Sequence, residues 1–229
     1  MKHKSKLIPP KRVPYQYHLS LWAQSWYKGL PVLCNKEGLV CEYLDKIHSV
    51  LIKSLEQSSK VFVVRVDLSF PQYFYAIGEE QLSNASLNLF IKNLRYRLGQ
   101  YAARKRQLEL RVYSVDFDYV WARESGDVNC RPHYHLLLLF NGHEFNSLGR
   151  FSCHRESLYN RLGDAWGYAL GLREGEGAKY IYIPDGGQYM IGSSDPIQME
   201  RVFFRASYLA KVATKDFKSG FHVFGGSRV

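Results

Sequence analysis

No apolar run in this chain approaches the roughly 20 residues that a membrane-spanning helix requires. The basic start, Met1 to Arg12, is not followed by the hydrophobic core of a secretory signal. Both absences speak against insertion and export, so a cytoplasmic protein without membrane partners is expected. The four cysteines, Cys34, Cys41, Cys130 and Cys153, include no CxxC pair, which argues against a zinc ribbon or a disulfide scaffold and for ordinary reduced thiols. No Gly-x-x-x-x-Gly-Lys-Ser/Thr string occurs, so neither a nucleotide cofactor nor a fused helicase is expected. Internal repeats and low-complexity linkers are missing as well.

What the chain has is apolar and basic. Its 229 residues are 46% hydrophobic and 15% aromatic, enough for one good core. The net charge of +10 suits a polyanionic partner such as nucleic acid.

Periodicity divides the chain into elements. Pro9, Pro10 and Pro14 make residues 1–16 an extended, mobile arm. Between Glu37 and Leu55 the residues Leu39, Tyr43, Leu44, Ile47, Leu51 and Leu55 recur at helical spacing. Residues 61–70 alternate as a half-buried strand, with Phe62, Val64, Val66 and Leu68 on one side and Arg65, Asp67 and Ser69 on the other. A helix with a basic exposed face is expected from Asn84 to Arg106. Alternation from Tyr113 to Glu124 gives a second strand, a turn follows at 125–129, and a third strand begins near His133. Beyond it the pattern predicts a helix from His154 to Leu170, a strand from Ala178 to Tyr182, a loop over 184–194 and a helix from Pro196 to Thr214. The expected fold class is α+β, an antiparallel sheet of ferredoxin-like or RNA-recognition-like type with flanking helices. Residues 1–58 would form a basic arm and helical extension, and 59–229 the catalytic unit.

The chemistry concentrates in Arg131-Pro132-His133-Tyr134-His135, which opens the apolar run Leu136 to Phe140. The period of two in a strand puts His133 and His135 on one face, where they can meet one metal ion. A hard divalent ion, Mg²⁺ or Mn²⁺, prefers a carboxylate beside imidazole. Glu124 is the natural third ligand and Asp127 the alternative, while Asp67, Asp116 and Asp118 also approach the polar face. Further on, Tyr208 and Lys211 stand three residues apart and so share a helical face. Spacing alone does not distinguish this pair from Tyr43 and Lys46.

Taken together, the strand Val61 to Phe70, the histidine motif His133 to Leu139 and the string Tyr208-Leu-Ala-Lys211-Val-Ala-Thr-Lys resemble the HUH endonucleases. Within them the chain is most similar to the single-tyrosine rolling-circle initiators of the inovirus and prophage replication-protein type, over roughly residues 60–229. Motif order in that family favours Tyr208 as nucleophile. The resemblance implies metal-dependent nicking and joining of single-stranded DNA through a covalent 5′-phosphotyrosine, with Lys211 assisting and His133, His135 and Glu124 holding the metal. It further implies a replication origin of a phage, prophage or plasmid as substrate, in single-stranded or hairpin form, and a host helicase as partner. Arg65, Lys92, Arg95, Arg104 and Lys105 are candidate DNA contacts, as are Lys2, Lys4, Lys6, Lys11 and Arg12 of the arm. Trp22, Trp26 and Tyr27 are expected mainly in a core. The competing readings are a DNA-binding regulator that does not cleave, and a nuclease whose nucleophile is water.

Overall fold

The computed structural model describes residues 11–33, 36–74, 82–126, 131–149 and 156–229. Lys2, Lys4, Lys6, Cys34, Asp127, Cys130, Cys153 and the expected helix start at His154 lie outside the described residues. Where alternation of β-branched and aromatic residues is strongest, strands form. They are β1 (Arg12–Val13), β2 (Gln16–Trp22), β3 (Trp26–Tyr27), β4 (Leu30–Pro31), β5 (Leu39–Val40), β6 (Lys60–Leu68), β7 (Phe117–Ser125), β8 (Pro132–Asn141), β9 (Ile181–Tyr182), β10 (Gln188–Gly192) and β11 (Phe224–Gly226). Four α-helices occur among the described residues: α1 (Cys41–Gln57), α2 (Asn84–Gln107), α3 (Leu158–Ala169) and α4 (Pro196–Ala206). The fold is α+β.

A six-stranded antiparallel sheet of order β10-β6-β8-β7-β11 carries the structure, with β9 pairing the far end of β6. It is covered on both faces. Phe62, Val64, Val66, Leu136, Leu138 and Phe140 pack with Phe90, Leu94 and Leu98 of α2 and Leu162 and Trp166 of α3. On the other face Val61, Val63, Val120, Leu137 and Leu139 meet Leu44, Ile47 and Leu51 of α1 and Val202, Phe203 and Ala206 of α4. The strand β6 is therefore buried on two sides for most of its length, not half-buried as expected for residues 61–70. Its polar residues Arg65 and Asp67 mark the end where the second core stops.

Elsewhere the structure corrects the sequence in several places. The second strand, expected from Tyr113, begins at Phe117, and the helix expected from Glu37 begins at Cys41, because Leu39 and Val40 pair with β2. Residues 11–16, expected in a mobile arm, enter the small sheet β1-β2-β5, because Val13 finds a buried site against Leu19 and Val40. The stretch 188–192, expected as loop, is an edge strand on β6 whose Ile191 is fully buried. The expected strand over 178–182 is a 3₁₀ turn, Glu176–Tyr180, before the short β9, because Gly177 abuts Gly163 and Gly167 of α3. Finally, α4 stops at Ala206, passes through a 3₁₀ turn at Ser207–Ala210 and leaves Lys211 extended, paired with Leu39.

The Gly177 contact admits no side chain. A Cβ there would overlap the Gly163 carbonyl oxygen and the Gly167 backbone. Gly177→Ala is expected to cost about 1–3 kcal/mol or more through forced overpacking. Gly99→Ala, inside α2 with open space around it, is expected to add about 0.5–1 kcal/mol. Urea midpoints of the two variants check both signs.

Candidate metal and nucleophile site

The hairpin β7–β8 assembles the first half of the site. Pro132, which has no N–H to offer, opens β8 and is followed by the two histidines. Glu124 lies directly opposite His133, and His135 directly opposite Asp67 of β6. Directly opposed residues share a face, so Asp67, Glu124, His133 and His135 converge just where the apolar core on this side ends. The Nε2 atoms of His133 and His135 are 3.2 Å apart, and Glu124 Oε2 is 3.4 Å from His135 Nε2. One ligand atom from each of the three residues falls within 4.8 Å of the others.

Both imidazoles are oriented from behind. His133 Nδ1 lies 3.3 Å from the Arg131 carbonyl and His135 Nδ1 lies 2.7 Å from Asp67 Oδ1. Arg65 Nη2 also lies 3.1 Å from His135 Nδ1. One nitrogen cannot both donate to Asp67 and accept from Arg65. The shorter, charge-complementary contact decides for donation to Asp67, with Arg65 bonded to that same carboxylate at 3.1 Å. Protonation at both Nδ1 atoms leaves both Nε2 lone pairs directed at one point, the usual arrangement of metal-ligating histidine with its orienting partner. Two nitrogens 3.2 Å apart also match the separation of adjacent ligands about 2.1 Å from one ion. The donor set thus fits a divalent cation.

The second half comes from the segment after α4. Tyr208, on the 3₁₀ turn, sets its ring 5.6 Å from His135, edge to face, and 4.8 Å from the Arg65 guanidinium. Lys211 donates from Nζ to the Tyr208 hydroxyl and reaches Glu124 Oε2 at 2.8 Å. Thr214 donates to Glu124 Oε2 at 2.7 Å, and Lys215, its side chain 0% exposed, lies 3.3 Å from Oε1. Thr214 takes a positive φ of 65°, a strained conformation for a β-branched residue. The Leu39 pairing, the Val212 N–H to Gly38 bond (3.2 Å) and the Ser125 N–H to Thr214 bond (2.9 Å) impose it.

Charge follows from these contacts. Burial alone would raise the Glu124 pKa, but the His135 hydrogen bond, Lys215 and Lys211 more than reverse this and hold it well below the usual carboxylate range. Burial would likewise lower His135, yet Asp67 and Glu124 draw it above the ordinary imidazole value. His133 is lowered by burial and by the charge of His135. Burial pushes the Lys215 ammonium down to about 8, with Glu124 opposing. Asp67 is held below its usual value because His135 and Arg65 outweigh its burial.

The structure therefore brings Tyr208, Lys211, His133, His135, Glu124 and Arg65 together. It does not bring the other expected DNA contacts with them. Lys92, Arg95, Arg104 and Lys105 sit on α2, which covers the opposite face of the sheet. There Arg95 pairs with Asp116 at 3.1 Å, Arg104 with Glu156 and Lys105 with the buried Glu144. A cleft of about 1180 Å³ between α2 and α3 shares that far side, and its arginines Arg97, Arg104 and Arg161 also face carboxylates. Tyr43 stacks on Phe224 at 4.0 Å, its phenol pushed up to about 12 by burial, and Asp118 pairs with Lys53. Of the N-terminal aromatics, Tyr27 is buried against Trp22 while Trp26 is exposed. Thr214 and Lys215 were part of the motif string, but nothing local to it reveals their contact with a residue 90 positions earlier.

Two outcomes follow from the charges. Glu124, with a folded pKa below its unfolded value near 4.5, contributes stability above that value which is lost as pH falls. Glu124→Gln should remove this acid-sensitive part and cost about 3–5 kcal/mol at neutral pH, since it leaves Lys215 buried and unpaired. Adding Lys215→Met should recover most of the loss in urea unfolding. Second, His135, raised above the imidazole value, would have to shed a proton before ligating a cation. Mn²⁺ affinity measured by calorimetry should fall as pH drops from 8 to 6, with proton release that His135→Ala abolishes.

Comparison with known proteins finds similar chains in Escherichia coli K12. Protein YagK of Escherichia coli K12 is 27% identical over 198 residues, covering 83% of this chain and 94% of that protein. Protein YfjJ of the same organism is 27% identical over 201 residues, covering 81% and 93%. No solved structure matches the chain. The model of the YagK/YfjJ C-terminal domain matches residues 23–227, from the loop before β3 to beyond β11 and through every residue of the site just described. The chain belongs to the YagK/YfjJ C-terminal domain family.

Proposed function

We propose that this protein is a metal-dependent enzyme that nicks and rejoins single-stranded DNA, with Tyr208 as nucleophile. The observation that carries the reading is the placement of the Tyr208 hydroxyl on Lys211 and its ring on His135, inside the same cluster as Glu124. The strand order β10-β6-β8-β7, taken with the chain order β6-α2-β7-β8-α3-β10, is that of a split βαβ sheet and supports an HUH-type ferredoxin-like fold. The net charge of +10 supports a polyanionic substrate.

A phenol with an ordinary pKa near 10 is a weak nucleophile at neutral pH. Lys211, donating to the Tyr208 oxygen, favours the phenolate. Arg65, over the Tyr208 ring, adds positive charge beside the nucleophile. Mg²⁺ or Mn²⁺ held by His133, His135 and Glu124 would supply Lewis-acid polarisation of the scissile phosphate. The Tyr208 oxygen forms a bond to phosphorus as the bond to the 3′ oxygen breaks. The phenol proton passes to water, and the departing oxygen takes one from water to become a 3′ hydroxyl. One phosphate ester replaces another, so rejoining needs no ATP. Asp67 keeps His135 in its orientation, and Lys215 neutralises the remaining oxygen of Glu124. Initiation of rolling-circle replication on a phage, prophage or plasmid origin, with a host helicase unwinding the duplex, is the setting this chemistry suits.

The test incubates the protein with a pool of single-stranded oligonucleotides and Mn²⁺, then resolves denatured products. A DNA-shifted protein band is expected, abolished in Tyr208→Phe and retained in Tyr43→Phe. Cleavage without an adduct would make water the nucleophile. DNA binding with neither cleavage nor adduct would leave a regulator that does not cut.

A further inference from the structure

The border of the site along β9 and α4 is exposed and aromatic. Tyr182 is 61% exposed although the residue before it, Ile181, is buried in the core between the sheet and α3. It lies directly opposite Asp67, the residue that holds His135. Opposed residues share a face with Cβ atoms about 5 Å apart, so Tyr182 stands on the face of the histidine cluster, one strand beyond it across Asp67, and not on the far side of the sheet. Helix α4 covers this same face. There Phe204 is 36% exposed, four positions before Tyr208. Arg205 bonds from Nη2 to the Asp185 carbonyl at 3.2 Å, tying the end of α4 to the loop that leaves Tyr182. Exposed aromatic faces and an arginine beside a site proposed to handle phosphate are elements that grip unpaired nucleic acid. Bases stack on the rings, and phosphates meet the guanidinium groups.

We infer that Tyr182 is a stacking platform for a base of the single strand next to the phosphate at Tyr208. The inference rests on the proposed nicking activity for its substrate. It goes further in naming the residue that holds the strand and in requiring that strand to be unpaired, because a ring can cover a base only when the neighbouring base has left it. The hydroxyl of Tyr182 has no part in this; its ring does.

Binding is measured in the Tyr208→Phe background, where no cleavage intervenes. The probe is a fluorescein-labelled oligothymidylate followed by anisotropy, with a labelled duplex as comparison. Tyr182→Ala is expected to weaken the single strand roughly 5- to 150-fold and the duplex far less. Tyr182→Phe is expected to bind as the parent does. Tyr168→Ala, which removes an equally exposed tyrosine (61%) from α3 on the far side of the sheet, is expected to change nothing. Unchanged single-strand affinity in Tyr182→Ala, or equal loss in Tyr182→Phe, would overturn the platform. The two proposals separate cleanly in the adduct assay. An adduct in the parent enzyme together with unchanged binding by Tyr182→Ala sinks only the platform. A selective loss of single-strand binding without any adduct in the parent sinks only the nicking activity.

Discussion

Glu124 carries a charge in the protein interior, and the site is arranged around that constraint. A buried carboxylate without partners would be costly enough to neutralise or to unfold its surroundings. Here each oxygen is met: Oε2 by Lys211, Thr214 and His135, Oε1 by Lys215. Those partners come from β8 and from a segment some 90 residues downstream. One side chain at the end of β7 therefore fixes the segment that carries Tyr208 against the histidines. Lys215 is the other half of the same bargain, because its fully buried ammonium has Glu124 as its carboxylate.

This dependence accounts for the N-terminal sheet, which carries none of the motif residues. The segment from Lys211 to Phe217 has no helix or long strand to hold it. It is held instead by Gly38 and Leu39 through backbone bonds, and by packing of Val212 and Phe217 against Val13, Leu19 and Val40. Gly38 itself takes φ +83°, and a Cβ there would approach the Trp22 carbonyl oxygen to 3.0 Å. A strained residue such as Thr214 persists only where its surroundings dictate it, and β5 supplies that surrounding. Helix α1, from the part of the chain before the first motif, closes the same layer with Leu44, Ile47 and Leu51.

The two faces of the sheet divide the labour. One is apolar along the whole length of β6 and β8 and serves only to bury α2 and α3. The other changes character along the strand, from Val61, Val63 and Leu139 beneath α1 to Arg65, Asp67, Glu124 and His135 near Tyr208. That change turns a structural sheet into a chemical surface. Basic residues on α2 contribute to net charge, but Arg95, Arg104 and Lys105 are paired with carboxylates on the far face.

Local pattern carried much of this. The period of two over Val61 to Leu68 and across His133 to Phe140 set the central strands and placed both histidines on one side. The helical stripe of Leu87, Phe90, Leu94 and Leu98 set α2 within a residue at its C-terminal end. These features are encoded by which side of an element is buried, and a sequence displays that directly. Two things were decided only in the folded protein, the edge strand Gln188–Gly192 and the break after Ala206; the spacing to a lysine left Tyr208 and Tyr43 equal, and the fold sets Tyr208 beside His135. An edge strand forms because β6 offers backbone partners, whatever the propensity of Gly and Asp nearby. The helix breaks because Lys211 pairs with Leu39 and reaches Glu124. Both tyrosines have the same local spacing to a lysine, and only contacts distant in sequence bury one against Phe224 and bring the other to the histidines.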